Sequence, residues 1–257
     1  MTNQGRRSLV VGNWKMYKTA GEAADFIDKL IPLLQPEDPS VYLAVPFTAI
    51  EASVKSAGTA VVIGAQNMND ATEGAFTGEV AADMLKEAGA RFVILGHSER
   101  RRYFHEDDAF INRKVLRAIK ENLELILCIG ETEQQRNESK IEEVLLHQLT
   151  EGLKGVLPEQ VNKVIIAYEP IWAIGSYNAA TPEQAQEAHK MIRHLLSEIG
   201  FAEASPSTIL LYGGSVSPHN IQGLMTQEDV DGVLVGGSSL SVDSFVQLVH
   251  YQQEVIS

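Results

Sequence analysis

A closed (β/α)8 barrel is the fold class this sequence predicts, and three observations predict it. Short branched apolar runs alternate with amphipathic segments from end to end, giving eight βα units. No Pro/Ser-rich linker or low-complexity stretch divides the chain. At 257 residues, such regular alternation suits one barrel over residues 1–257 better than an open doubly wound sheet, the structural alternative.

Strands are expected at Leu9–Val11, Val41–Val45, Val61–Ala65, Phe92–Leu95, Leu125–Ile129, Val164–Tyr168, Ile209–Tyr212 and Val233–Val235. Their near-continuous apolar character fits parallel strands buried on both faces. The polar residues stand at the strand exits. The first strand leaves through Gly12-Asn13-Trp14-Lys15, the third through Gln66-Asn67 and the fourth through Gly96-His97-Ser98-Glu99. The sixth leaves through Glu169, the seventh through Gly213-Gly214-Ser215 and the eighth through Gly236-Gly237. In a barrel these ends converge on one mouth, so residues scattered along the chain become neighbours.

The exit of the sixth strand continues into YEPIWAIGSYNAATPEQ. Pro170 stiffens the chain after Glu169, Ile171-Trp172-Ala173-Ile174 is an apolar segment too short for a helix, and Gly175 allows a sharp bend. A helix is expected to open at Thr181, with Pro182 first and Gln184 completing a capping box. The stretch reads as a stiff apolar flap anchored at both ends beside a carboxylate.

Composition excludes several classes of function. With 44% hydrophobic residues the chain can bury a sizeable core, and no apolar run approaches the ~20 residues of a membrane span. A net charge of −13 argues against nucleic acid and anionic membrane surfaces, both of which need a basic face. The single Cys128 excludes an internal disulfide framework. No export signal is read at the start of the chain, so a cytoplasmic location is the expectation. Spacings of the H-x-x-x-H or C-x-x-C type, which would suggest a metal, do not occur. Neither a G-x-S-x-G nucleophile elbow nor a dinucleotide-binding G-x-G-x-x-G after the first strand occurs.

The predicted mouth combines Lys15, His97 and Glu169 with two glycine turns. Turns after the last two strands suit a phosphate, because bare backbone N–H groups can approach the anion closely. Ser215, Gly236 and Gly237 would supply them, with Gly175 added from the flap. Ser98 is expected to cap a short helix whose N-terminal dipole disfavours a charged imidazole, leaving His97 neutral and able to donate to a carbonyl oxygen. Each residue has a plainer reading. Gly236-Gly237 could be a tight turn, His97 a strand-end histidine bonded to backbone, Lys15 a surface lysine, and Glu169 an ion-pair partner, perhaps of Lys15. His105, His147, His189, His194, His219 and His250 fall on helical or loop patterns and read as solvated or structural. The joint arrangement points to proton transfer on a small phosphorylated carbonyl compound.

Seven segments, GNWKM, QN…GAFTGE, LGHSERR, CIGE, YEPIWAIG, YGGS and GVLVGG, resemble the triosephosphate isomerase family in order and spacing across nearly the whole chain. The resemblance implies interconversion of glycerone phosphate and glyceraldehyde 3-phosphate without a cofactor or metal. Glu169 would be the base, His97 and Lys15 would polarise the oxygens, Asn13 would orient the substrate, and Glu99 would support Lys15. The flap from Pro170 to Ala180 would be a lid, supported by Cys128 and Glu131 of CIGE and by Tyr212. Its tip, Gly175-Ser176-Tyr177-Asn178-Ala179-Ala180, replaces the usual Gly-Thr-Gly-Lys-Thr-Ala. Tyr177 N–H is still expected to reach Ser215, and Ala180 the Tyr212 hydroxyl. His105 stands where the family commonly has glycine. The long loop from Met68 to Gly78 carries Met68 and Phe76 outside any strand, which suggests a homodimer. By resemblance the loop would enter the neighbouring subunit, bringing Thr77 near the partner's Asn13 and setting Glu79 against the partner's Arg100. An isolated turn bracketed by Gly74 and Gly78 is the plainer reading. A barrel turned binding or adhesion protein, and another phosphosugar isomerase or epimerase, are the functional alternatives.

Overall fold

The computed structural model describes residues 5–174 and 179–252. Eight strands run in order: β1 (Leu9–Asn13), β2 (Ser40–Val45), β3 (Val62–Ala65), β4 (Phe92–Leu95), β5 (Glu124–Ile129), β6 (Val164–Tyr168), β7 (Leu210–Tyr212) and β8 (Gly232–Val235). Each pairs in parallel with the next, and β8 closes on β1. Around them lie α1 (Ala20–Leu30), α2 (Ile50–Ala57), α3 (Ala82–Glu87), α4 (Ser98–Tyr103), α5 (Asp108–Lys120), α6 (Glu133–Asn137), α7 (Ile141–Gly152), α8 (Pro182–Leu196), α9 (Ile221–Met225) and α10 (Val242–Val249). The architecture is the expected (β/α)8 barrel. β1 runs two residues past its expected end because Gly12 and Asn13 still pair with Leu43 and Ala44. No described helix is long and apolar enough to cross a membrane.

Period-two alternation divides the strand residues between two cores. Leu9, Val11, Tyr42, Ala44, Phe92, Ile94, Ile126, Cys128, Ile165, Ala167, Leu211 and Leu234 cluster inside the barrel. Their neighbours, such as Val10, Leu43, Val93, Leu127, Ile166 and Val233, pack outward in the core shared with the helices. Large and small residues complement one another inside. A Cβ on Gly64 would lie 2.3 Å from the Phe92 ring, so the glycine makes room for that side chain.

Closure is reinforced where the first and last strands meet. Asp231, just before β8, accepts Leu9 N–H on its carbonyl at 3.1 Å. Its fully buried carboxylate takes Arg6 Nε at 2.6 Å and the Arg193 guanidinium of α8 at 2.8 Å. It also accepts Leu210 N–H at 2.8 Å, tying β7, β8, α8 and the start of β1 together. The capping box at Thr181 and Gln184 forms as expected, with reciprocal bonds of 3.0 and 3.2 Å. His189 of α8 is fully buried with its pKa lowered to about 4 by burial, a structural rather than a solvated histidine.

His105 has φ of +54°, in the left-handed region that favours glycine, which explains physically why glycine suits this position. Replacing His105 with glycine should therefore raise stability by roughly 0.5–1 kcal/mol. Gly64→Ala should lower it by about 1–3 kcal/mol through overpacking against Phe92. Urea midpoints at unchanged slope check both; a neutral Gly64→Ala would show that the interior relaxes freely around this contact.

Candidate active site

The carboxyl ends of the strands open on a cavity of about 220 Å3 lined by Asn13, Lys15, His97, Glu169, Ile174, Ser215, Gly236 and Gly237, among others. A larger cavity of about 580 Å3 opens at the other barrel end, between Val62, Arg91, Asn122 and Lys163. No histidine lines it, and its one carboxylate, Glu124, is already paired with Arg7. The smaller cavity gathers the acid–base groups. Among the described residues, no group of three or more His, Cys, Asp and Glu could hold a metal.

The end of β1 supplies Asn13 and Lys15. Asn13 is buried, and its Oδ1 accepts Lys15 N–H at 3.0 Å, holding the turn in which Lys15 takes φ of +51°. That left-handed backbone is costly for a lysine, and the Asn13 bond supports it. The lysine stem then passes Gly236, where a Cβ would lie 3.2 Å from Lys15 Cε. Its ammonium pairs with Glu99 at 2.6 Å, not with Glu169. The lysine's ion-pair partner is therefore Glu99, while both glutamates approach the His97 ring.

The end of β4 differs from expectation in one respect. His97, not Ser98, is the N-cap of α4, and its Nδ1 accepts Glu99 N–H at 3.2 Å. Ser98 is the first helical residue, and its N–H donates to Glu169 Oε2 at 2.9 Å. An imidazole can replace the usual hydroxyl or carboxylate cap because an unprotonated ring nitrogen is an acceptor in reach of the second N–H. The cap leaves Nδ1 bare and puts the proton on Nε2, which lies 3.0 Å from Glu169 Oε1. Neutral imidazole with a donor facing the cavity is the tautomer this geometry selects.

Glu169 follows β6 and is 3% exposed. Burial alone would raise its pKa, but the His97 ring, the Ser98 N–H and the Lys15 ammonium together carry it below the ordinary carboxylate range. For His97, burial acts against the charged form, while the Glu169 carboxylate and then Glu99 act for it, and the net direction is upward. That upward direction depends chiefly on the Glu169 contact and weakens once Glu169 turns elsewhere. A Cβ at Gly213 would lie 2.9 Å from Glu169 Cγ, so glycine gives the carboxylate room. Cys128 is fully buried nearby; burial first, and Glu169 second, push its thiol well up.

The anion-binding side is built from backbone. Gly237 opens a tight turn over Gly237–Ser239, whose first N–H groups have no partner within the turn. Ser215 N–H donates to Ala173 O at 2.9 Å, linking the turn after β7 to the flap. Pro170 leads into a single 3-10 turn over Ile171–Ala173, and Ile174 reaches the cavity. Trp172 Nε1 donates to Glu131 Oε1 at 2.8 Å, which also accepts the Tyr168 hydroxyl at 3.0 Å. Gly175, Ser176, Tyr177 and Asn178 lie outside the described residues. Ala179 is exposed, whereas Ala180 is buried and donates its N–H to the Tyr212 hydroxyl at 3.2 Å. Burial pushes that phenol up to about 12, so it accepts as a neutral group.

The loop carrying Phe76, Thr77 and Glu79 stays away from its own cavity. Glu79 accepts from Asn69 Nδ2 at 2.7 Å, and Arg100 pairs with Glu106 at 2.7 Å. Two site features escaped the sequence reading: the His97 cap and the Ser98 N–H aimed at Glu169. A strand-end His-Ser-Glu, with acceptor, N–H and helix start in succession, was the available signal.

Comparison with known proteins identifies the family. A sequence model described as triosephosphate isomerase matches residues 8–252. A triosephosphate isomerase of Protochlamydia amoebophila is 48% identical over 251 residues, 97% of this chain and 95% of that protein. One of Chloroflexus aurantiacus is 47% identical over 249 residues, covering 96% of this chain and all 100% of the relative. One of Caldanaerobacter subterraneus subsp. tengcongensis is 45% identical over 247 residues, again 96% and 100%. With matches this long at this identity, the chain belongs to the triosephosphate isomerase family.

Proposed function

We propose that the chain interconverts glycerone phosphate and D-glyceraldehyde 3-phosphate by proton transfer through an enediolate. The observation that carries this reading is the contact between the Glu169 carboxylate and His97 Nε2, 3.0 Å apart in a cavity that also holds Lys15. Glu169 takes a proton from the carbon beside the carbonyl and returns it to the former carbonyl carbon. The hydroxyl proton crosses to the former carbonyl oxygen. His97, neutral through its capping bond, donates from Nε2 to these oxygens, and the Lys15 ammonium adds positive charge as the oxyanion develops. A carboxylate is a weak base toward such a carbon acid, so donors must be aimed at the oxygen where charge appears. Asn13 orients the substrate, and Glu99 holds Lys15.

Substrate phosphate lies on the Gly236 and Gly237 backbone in this reading, with Ser215 contributing its hydroxyl, because its N–H is not bare as expected but donates to Ala173 O. These local donors work against the −13 net charge of the chain. The segment from Pro170 to Ala180 is a lid, hinged on the Trp172–Glu131 bond and the Ala180–Tyr212 bond, and it excludes water from the enediolate. The reaction requires no cofactor or metal. A place in glycolysis and gluconeogenesis and a cytoplasmic location belong to the same proposal. A coupled isomerase assay on purified protein tests the reading; no turnover of either triose phosphate would overturn it.

A homodimer belongs to the proposal. Met16 is 95% and Phe76 52% exposed, with Tyr17, Met84, Tyr103 and Phe104 also exposed, a costly apolar set for a lone chain. The loop around Phe76 and Thr77 would cover the neighbouring subunit's mouth. Light scattering at micromolar protein is expected to give twice the chain mass, and a fully active monomer would remove the dimer from the reading.

Glu169→Asp retracts the base by about 1 Å and is expected to lower kcat on the order of 10²-fold with little change in KM. Turnover within about threefold of the parent would take the base role from Glu169. The depressed Glu169 pKa keeps the base ionised to lower pH than an ordinary carboxylate, so the acid limb of kcat/KM lies low. In His97→Gln that limb should move to higher pH, because burial then meets one fewer opposing contact. An unmoved limb would show that the pair does not set this titration.

A further inference from the structure

Gly130 is the first residue beyond β5, and its surroundings are unusually constrained. A Cβ there would lie 1.9 Å from the Glu169 carbonyl oxygen, so the peptide packs directly against the backbone that carries the carboxylate. Its chain neighbours serve β6: Glu169 N–H donates to Ile129 O at 2.7 Å, and Ile171 N–H to Glu131 O at 3.1 Å. Alternate residues of a strand turn their N–H and C=O to opposite neighbours, so the polar groups of Gly130 face away from β6. On that side β4 has already ended at Leu95, paired with Leu127. The Gly130 peptide is buried and would be left without a strand partner.

Gln148, on α7, supplies the missing partner. Its Oε1 accepts Gly130 N–H at 2.8 Å, and its Nε2 donates to Gly130 O at 3.2 Å. One side-chain amide thus reproduces the donor and acceptor of an adjacent strand. We propose that Gln148 is a positioning residue for the base and the near hinge of the lid, acting through the Gly130 peptide. Fixing that peptide fixes Ile129 O and Glu131 O on either side of it, and these carbonyls hold Glu169 and Ile171. The same fixed loop presents Glu131 to Trp172 and to the Arg136 guanidinium at 3.1 Å.

The inference rests on Glu169 being the base, and it separates two parts of catalysis. Phosphate binding, assigned to Gly236 and Gly237 beyond β8 and to Ser215 beyond β7, lies three and two strands from β5. Gln148→Leu keeps roughly the volume and loses both bonds. It should lower kcat about tenfold or more, while KM and the inhibition constant of inorganic phosphate stay within about twofold. Gln148→Glu offers an acceptor only when ionised and a donor plus an acceptor when protonated. Its kcat, as a ratio to the parent at each pH, should therefore rise as pH falls from about 8 to about 5.5, since burial raises a carboxyl pKa. Exchange of the Glu169 and Ile171 amide protons should accelerate in Gln148→Leu.

A leucine variant with kcat within about twofold of the parent, or one that weakens phosphate while sparing kcat, would overturn the assignment. If the leucine variant does not fold, the glutamate variant decides, and a flat ratio across pH counts against the clamp. If the parent itself shows no isomerisation, the functional reading fails, and amide exchange then judges the clamp alone: unchanged exchange sinks it.

Discussion

Closure of the parallel sheet is the constraint on which the rest of this molecule depends. β8 pairs with β1 from Leu9 against Gly232 to Gly12 against Val235, and the buried Asp231 carboxylate gathers both arginines and the β7 backbone at that seam. Parallel closure sends every strand the same way, so all eight strand exits meet at one mouth. Removing a partner from such a buried ion cluster leaves an uncompensated charge, which is far costlier than the cluster is stabilising. The seam is a requirement for the site, which needs Asn13 and Gly236 side by side.

Within the mouth, one helix start organises the chemistry. His97 and Ser98 are consecutive, yet one caps α4 through Nδ1 and the other turns its N–H to Glu169. Capping decides the tautomer, the tautomer puts a donor on Nε2, and that donor meets a carboxylate whose pKa burial alone would raise. The carboxylate is thus kept charged at 3% exposure by contacts it must exchange when it turns to a substrate. In the proposed mechanism this carboxylate is a base held ready in an ionised form within a buried site, where electrostatic contacts act strongly.

Close contacts explain several small residues around it. Gly130, Gly213 and Gly236 respectively abut the Glu169 carbonyl, the Glu169 side chain and the Lys15 stem. Lys15 meanwhile occupies a left-handed backbone region with Asn13 bonded to its N–H. Backbone strain at Lys15 is thus borne at the mouth by a rigid barrel, which holds the charged group at short range.

The sequence by itself determined the barrel, because eight branched runs separated by amphipathic segments admit few closed arrangements. It also determined which residues stand at the strand exits, since Glu169 directly follows a strand-like run and His97 and Lys15 come within a few residues of one. The start of α8 was legible for a similar reason: Thr181, Pro182 and Gln184 cap within one turn of chain. What only the tertiary structure decided were contacts between residues far apart in sequence or dependent on side-chain direction. Local pattern named Ser98 as the cap because hydroxyls usually cap; ring geometry gave the role to His97. It offered Lys15 as a partner for Glu169, whereas the lysine reaches Glu99 across 84 positions, the partner that the family resemblance had implied. Gln148 looked like any polar residue on an amphipathic helix, and only the early end of β4 makes its amide necessary. Periodicity reports burial, which is a one-body property of each residue, while hydrogen bonding at the mouth is a many-body property of the closed barrel.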